Sequence, residues 1–230
     1  MLHRRSILET TATLGLGALA GCALPGTATQ GPRTPFAVPD TFIPIAGSDM
    51  QFPVRRIYCI GRNYRAHAIE MGSNPDREPP FFFQKPTDAV QNVAPGTVAD
   101  HPYPSLTRNY HYEVELVAGL HKGGRDIPVD RALDHVYAYA LGLDMTRRDL
   151  QRAMGDEKKP WEIGKSFDRS APVGPLHPVS QVGHFSKGGI WLKVNGVTKQ
   201  NANLSQMIWS VAEQISRLSQ ANELFPGDII

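Results

Sequence analysis

Short β-rich segments, separated by loops rich in proline and glycine, dominate this sequence and limit the folds open to it. The chain contains 19 prolines and 21 glycines among its 230 residues. Strands are predicted at residues 56–60, 81–85 and 111–120, and glycine or proline follows each of them within a few residues. Predicted strands outnumber predicted helices, which favours a β-rich α+β domain over a repeated βαβ arrangement.

The remaining elements follow from local patterns. Residues 64–71 suit a helix that ends at Gly72, and residues 136–143 form an apolar, β-leaning run. Thr146 is predicted to cap a following helix. Asn195-Gly196 is a strong signal for a two-residue hairpin turn. Apolar residues at helical spacing predict one helix over residues 204–218.

The first residues have the anatomy of an export signal. Paired arginines at positions 4 and 5 precede a short apolar stretch, and Leu-Ala-Gly-Cys ends at Cys22. We therefore predict a twin-arginine-like signal over residues 1–22, with Cys22 lipidated as a membrane tether and the protein exported to the periplasm or its membrane. The alternative is a disordered tail or misassigned start on a cytoplasmic protein. Residues 23–50 are interpreted as a linker and leading segment, and residues 51–230 as one folded domain.

Charge and cysteine content exclude several classes of protein. The net charge is only +2, and no run of like charges or basic, aromatic-rich patch occurs, so a nucleic-acid partner is not expected. The two cysteines, Cys22 and Cys59, indicate neither a disulfide framework nor a thiolate metal site. A domain that acts on a small molecule is the simplest interpretation.

Three acidic residues form the most informative constellation. Glu113 and Glu115 are two apart in an alternating segment, so both carboxylates fall on one face of a predicted strand. Asp144 ends the apolar run 136–143. Adjacent carboxylates in apolar surroundings require a cation, a proton or solvent. Three carboxylate donors suit Mg²⁺ or Mn²⁺, whereas the alternative is an edge strand with ordinary surface acids.

His67 and Glu70 supply a second pair. Residues three apart lie on the same face of a helix, where a carboxylate can orient an imidazole and raise its basicity. His67 is thus a candidate general base for a water molecule, with Glu70 holding it. The alternative is an ordinary surface pair.

Taken in order, several motifs resemble the fumarylacetoacetate hydrolase family, over about residues 54–230. They are Gly61-Arg62-Asn63-Tyr64 with His67 and Glu70, Phe83-Gln84-Lys85-Pro86, residues 111–116, residues 142–151, Lys165-Ser166-Phe167-Asp168 and Asn195-Gly196. Residues 76–80 and 204–209 are especially similar to its fumarylpyruvate hydrolase branch.

The resemblance implies a mixed β-sandwich roll, a homodimer and a divalent metal site. It implies that Mg²⁺ or Mn²⁺ is held by Glu113, Glu115 and Asp144, that His67 and Glu70 activate water, that Lys165 stabilises an oxyanion, and that Arg148, Gln151 and Lys85 contact substrate.

The activity that the resemblance implies is cleavage of a carbon–carbon bond in an acylpyruvate, a 1,3-diketo acid such as fumarylpyruvate. Oxaloacetate decarboxylation and keto–enol isomerisation use the same residues and remain open. A non-catalytic protein that binds metal or keto acids is a further alternative. Members of the family continue into a Thr-Gly-Thr-Pro-like turn beyond the position of Ile230. We therefore expect the domain to be truncated at its C-terminus and its last strand to lack a partner.

Overall fold

The computed structural model describes residues 33–70 and 78–230. Pro39–Ile230 form one compact unit, separate from the residues before them. The predicted export signal at residues 1–22 lies outside the described residues. Among the helices that the structure describes, none has the length and apolar character needed to cross a bilayer.

Strands are the commoner element, and the predicted β-rich α+β class is confirmed. The strands are Phe42–Pro44 (β1), Gln51–Pro53 (β2), Arg56–Ile60 (β3), Phe82–Lys85 (β4), Val90–Asn92 (β5), Tyr110–His111 (β6), Val114–Leu120 (β7), Val136–Leu143 (β8), Thr146–Arg147 (β9), Ala171–Val173 (β10), His177–Pro178 (β11), Gly189–Val194 (β12), Val197–Asn203 (β13) and Asp228–Ile229 (β14). The helices are Arg65–Glu70 (α1), Val129–Ala132 (α2), Arg148–Asp156 (α3), Glu162–Lys165 (α4), Val179–Val182 (α5) and Val211–Ala221 (α6), with 3₁₀ turns at Thr87–Ala89, Leu133–His135 and Leu204–Gln206.

One mixed sheet of eight strands organises the domain. Seven strands follow the order β4-β3-β14-β7-β8-β10-β5, and β11 adds to β8. Apolar side chains cover both faces, because neighbouring residues of one strand enter different clusters: Ile57 of β3 packs in one and Tyr58 in the other. A separate hairpin, β12–β13, turns at Asn195 and Gly196, whose φ values of 50° and 80° fit the predicted two-residue turn.

Strand β1 pairs with β2, so ordered structure is already present within the segment interpreted as a linker. The compact unit begins at Pro39, ahead of the predicted boundary at residue 51.

The prediction that the last strand lacks a partner is wrong. Strand β14 lies between β3, to which it is parallel, and β7, to which it is antiparallel. Its register pairs Ile229 with both Ile57 and Gly119. Pairings of such long sequence separation leave no local signal, which is why the sequence pattern missed them.

Two helix starts also differ from prediction. The predicted helix 204–218 divides into a 3₁₀ turn and α6, because Ser210 and Glu213 form a reciprocal capping box that starts a new helix. Thr146 does not cap α3: it pairs with β6, and its hydroxyl donates to the Asp144 carbonyl at 3.1 Å.

An ion pair between a buried aspartate and a partly exposed arginine anchors β14. Asp228 is fully buried, Arg55 Nη1 donates to its Oδ1 at 2.9 Å, and the Phe225 N–H donates to its Oδ2 at 2.8 Å. The pair therefore ties the last described residues to the chain that leads into β3.

Replacing Asp228 by alanine is expected to lower the free energy of unfolding by about 2–3 kcal/mol, because charge-assisted hydrogen bonds are lost from a buried position. Denaturant unfolding measures the change. Asp134→Ala is the matched control, since Asp134 pairs with Arg131 at 2.8 Å on the exposed surface and should matter little. Equal effects of the two substitutions would contradict this role for Asp228.

Candidate metal and catalytic site

A cavity of about 240 Å³ collects the residues that sequence patterns singled out. Helix α1, the start of β7, the end of β8, helices α3 and α4 and the β12–β13 hairpin all contribute to its walls. Every predicted site residue except Lys85 lines it: His67, Glu70, Glu113, Glu115, Asp144, Arg148, Gln151 and Lys165.

The pairing of β7 with β8 brings the three carboxylates together. Val114 lies opposite Leu143, and the Asp144 N–H donates to the Glu113 carbonyl at 2.8 Å. Glu113 sits just ahead of β7 rather than within it, although the sequence predicted one continuous strand through both glutamates. Glu113 and Glu115 nevertheless face the same cavity, as the alternation predicted.

Lysine and arginine side chains offset part of this negative charge. Lys165 Nζ donates to Glu113 Oε2 at 2.8 Å and to Asp144 Oδ2 at 2.6 Å. Arg148 Nη2 pairs with Glu113 Oε1. Burial lowers the pKa of Lys165, but the carboxylates of Asp144 and Glu113 outweigh this and raise it above the usual value, so the ammonium stays charged.

Close packing of two helices places Lys165. A Cβ at Gly164 would lie 2.7 Å from the Gln151 backbone nitrogen, so only glycine lets α4 approach α3 this closely. Lys165 follows directly and is 2% exposed. The lysine therefore reaches the carboxylates from a buried backbone.

Lys85 has a different environment from the one predicted for a substrate contact. Its ammonium donates to the carbonyls of Met145, at 3.1 Å, and Lys165. It also lies 2.9 Å from Asp144 Oδ1, an ion pair without hydrogen-bond geometry. It lines an adjoining cavity, which shares Glu115 and Asp144 with the cavity that holds His67 and Lys165. These contacts fix Asp144 and the end of α4.

Glu115 is the carboxylate that the protein leaves uncompensated. Burial and the neighbouring charges of Glu113 and Asp144 raise its pKa to about 8. In the described part of the chain, no donor hydrogen-bonds its side chain, whereas Lys85 and Lys165 both pair with Asp144. Such a group binds a proton at neutral pH unless a cation approaches.

This donor set fits a hard divalent cation. Residues 33–70 and 78–230 hold no trio of His, Cys, Asp or Glu side chains already arranged as a metal cage. The Lys165 ammonium lies instead between Glu113 and Asp144. Carboxylate oxygens concentrated on one wall of a cavity, with those of Glu115 free of hydrogen bonds, are the ligands that Mg²⁺ and Mn²⁺ prefer.

The predicted His67–Glu70 pair forms on α1. His67 Nδ1 lies 3.4 Å from Glu70 Oε2, and both side chains line the cavity. The imidazole is 29% exposed and the carboxylate 72%, so the pair is open to water, unlike the carboxylates opposite it. A base at this place can take a proton from a water molecule in the cavity.

Arg148 and Gln151 are committed to protein partners. Arg148 Nη1 donates to Gln151 Oε1 at 2.5 Å, and its other nitrogens reach Glu113 and, at 3.4 Å, His111. Their predicted contact with substrate stays a prediction, and their observed contacts orient Glu113.

Sequence reasoning assigned no role to several other residues that line this cavity. Among them are Arg62, Asn63, Tyr64, Phe83, Trp161 and Lys199. The segment 61–64 carried the resemblance, but no spacing rule indicated that these side chains face the carboxylates.

Comparison with known proteins agrees with this geometry. Residues 56–230 match the family model described as fumarylacetoacetate (FAA) hydrolase C-terminal. The crystal structure of fumarylpyruvate hydrolase from Pseudomonas aeruginosa, in complex with Mn²⁺ and pyruvate, is 58% identical over 86% of this chain and 85% of that chain, with a TM-score of 0.84.

Two curated relatives show the range of named activities. Fumarylpyruvate hydrolase of Ralstonia sp is 44% identical over 154 residues, which are 66% of this chain and 77% of that protein. Mitochondrial oxaloacetate tautomerase FAHD1 of Homo sapiens is 39% identical over 176 residues, 76% of this chain and 77% of that protein. With most of its length matched by the family model, this chain belongs to the fumarylacetoacetate hydrolase family.

Proposed function

We propose that this chain is a metal-dependent hydrolase that cleaves the carbon–carbon bond of an acylpyruvate such as fumarylpyruvate, giving pyruvate and an organic acid. The observation that carries the proposal is the cluster of the Glu113, Glu115 and Asp144 carboxylates on the wall of a cavity that Lys165 and His67 also line. A similar protein, 58% identical, is a fumarylpyruvate hydrolase crystallised with Mn²⁺ and pyruvate, and pyruvate would be one product here.

The residues divide the chemistry among them. Mg²⁺ or Mn²⁺, when held by Glu113, Glu115 and Asp144, would supply Lewis acidity toward the keto oxygen at the pyruvate end. His67 takes a proton from water, with Glu70 beside its Nδ1, and the resulting hydroxide attacks the distal carbonyl carbon.

Lys165 would stabilise the developing alkoxide. Its ammonium is buried, charged and aimed at the carboxylate wall of the cavity. When the carbon–carbon bond breaks, the electron pair stays with the methylene carbon of the pyruvate end. That carbon then takes up a proton equivalent to the one His67 removed. The hydroxyl of water thus ends in the organic acid and its proton in the methyl group of pyruvate.

A second candidate activity is decarboxylation or keto–enol isomerisation of oxaloacetate. The 39% identity to an oxaloacetate tautomerase favours this second activity. A stabilised enolate is an intermediate that acylpyruvate cleavage and the oxaloacetate reactions have in common. Substrate comparison separates the two candidates.

We also propose a homodimer, with apolar surface as its support. Leu141, Trp191 and Val197 are 58%, 59% and 57% exposed, although side chains of this kind usually find cover. Light scattering that gave the mass of a single chain would contradict this proposal.

Export and a lipid tether at Cys22 remain our proposal for the leader. The support is the order of Arg4-Arg5, an apolar stretch and Leu19-Ala20-Gly21-Cys22. Fractionation of cells that express the full chain tests it: the protein should follow the membranes, and Cys22→Ser should release it.

The purified protein is expected to consume fumarylpyruvate and release pyruvate only when Mg²⁺ or Mn²⁺ is added. Glu113→Ala/Glu115→Ala should lower kcat/KM by about a hundredfold or more, since a Lewis acid contributes several kcal/mol. Ultraviolet absorbance of the diketo acid follows the reaction. Glu157→Ala, an exposed acid paired with Lys159, is the control. Faster turnover of oxaloacetate than of fumarylpyruvate would favour the second candidate, and turnover of neither would refute both.

His67→Gln is expected to lower kcat by roughly a hundredfold or more, because it removes the base but keeps a polar side chain of similar size. Mn²⁺ affinity should stay unchanged, which separates loss of the base from loss of the metal. His177→Gln alters an exposed histidine on β11, away from the cavity, and serves as the control. A His67→Gln enzyme with nearly full kcat would remove His67 from the mechanism.

A further inference from the structure

Arg62 has an unusual backbone, held in place from both sides. It follows β3 with a φ of 56°, in the left-handed region that residues other than glycine rarely occupy. On one side, Gly61 lies under Phe81, and a Cβ there would come 2.0 Å from the ring. On the other, Asn63 exchanges two hydrogen bonds with the Trp209 backbone, at 2.9 and 2.8 Å.

The guanidinium of Arg62 lies beside aromatic rings. Its Cζ is 5.7 Å from the centre of the Phe81 ring and 5.5 Å from that of Trp161. Trp161 packs edge-on against Phe81 at 5.2 Å, so the three side chains form one group. Arg62 and Trp161 line the catalytic cavity. Stacking of this kind orients the planar fork of an arginine and leaves its edge available.

Arg62 is a cation of this cavity that has no anionic partner among the described residues. Its Nε is buried and has no hydrogen-bond partner, and within residues 33–70 and 78–230 no carboxylate pairs with it. By contrast, Arg148 and Lys165 are both paired with Glu113. Lys199 also lines the cavity, but it is exposed, and solvent can satisfy its charge.

We propose that Arg62 binds a carboxylate at the acyl end of the substrate and so makes the enzyme selective for acylpyruvates that carry a second carboxylate. This inference rests on the proposed function and names the residue that recognises the far end of the substrate. A guanidinium binds a carboxylate through two parallel N–H bonds, and the rings of Trp161 and Phe83 suit a flat, conjugated acyl chain. The carboxylate wall is left for the pyruvate end.

Two substrates that share the pyruvate end test the proposal. Fumarylpyruvate carries the second carboxylate, whereas acetylpyruvate ends in an uncharged methyl group. Arg62→Gln should lower kcat/KM for fumarylpyruvate by about 10- to 100-fold, mainly through KM, and affect acetylpyruvate far less. Arg62→Lys, which keeps the charge but not the fork, should fall between. Lys199→Gln should keep the wild-type preference. Thermal unfolding of each variant confirms that it is folded.

Loss of both substrates in equal proportion, or an unchanged preference, would overturn the role of Arg62. If the wild-type protein cleaves neither substrate, the proposed function fails. Binding of fumarate without added metal then tests carboxylate recognition by Arg62 independently of turnover. The wild type should then bind fumarate more tightly than fumaramide, which has the same shape but no carboxylate. Arg62→Gln should abolish that difference, and a difference that survives would refute the proposal.

Discussion

Mutual repulsion among the clustered carboxylates of Glu113, Glu115 and Asp144 is the constraint on which the site depends. Three negative charges on one wall of a cavity are unfavourable unless cations or protons offset them. Lys165 and Arg148 neutralise part of the charge, and burial together with the remaining repulsion raises the pKa of Glu115 to about 8, so this carboxyl holds a proton at neutral pH when no cation is bound. The fold therefore holds a group of oxygen donors whose mutual repulsion a bound divalent cation would relieve.

The surrounding architecture serves to hold these charges in place. Pairing of β7 with β8 sets the carboxylates side by side, and the close contact of α4 with α3 at Gly164 delivers Lys165. Behind these carboxylates, the Lys85 ammonium pairs with Asp144 and donates to the backbone carbonyls of Met145 and Lys165. The His67–Glu70 pair on α1 faces the same cavity but is more exposed than the carboxylates. This exposure suits a residue that must exchange protons with water.

Local patterns in the sequence predicted the parts of this structure that are local. Alternation placed Glu113 and Glu115 toward one space, spacing paired His67 with Glu70, and Asn195-Gly196 predicted the hairpin. Long-range relations were missed. The insertion of β14 between β3 and β7, the diversion of the Thr146 hydroxyl to Asp144 and the partners of Lys85 all depend on residues distant in sequence. No carboxylate among the described residues pairs with Arg62, and no sequence motif encodes the absence of a partner.

A Mn²⁺ titration followed by electron paramagnetic resonance shows directly whether Glu113, Glu115 and Asp144 form one cation site. The signal of free Mn²⁺ should reveal one bound ion per chain, and Glu115→Gln should weaken binding by roughly a hundredfold or more. Glu223→Gln, which alters an exposed acid paired with Arg125, should bind as the wild type does. Equal affinity of the wild type and Glu115→Gln for Mn²⁺, or no binding by either, would contradict the account.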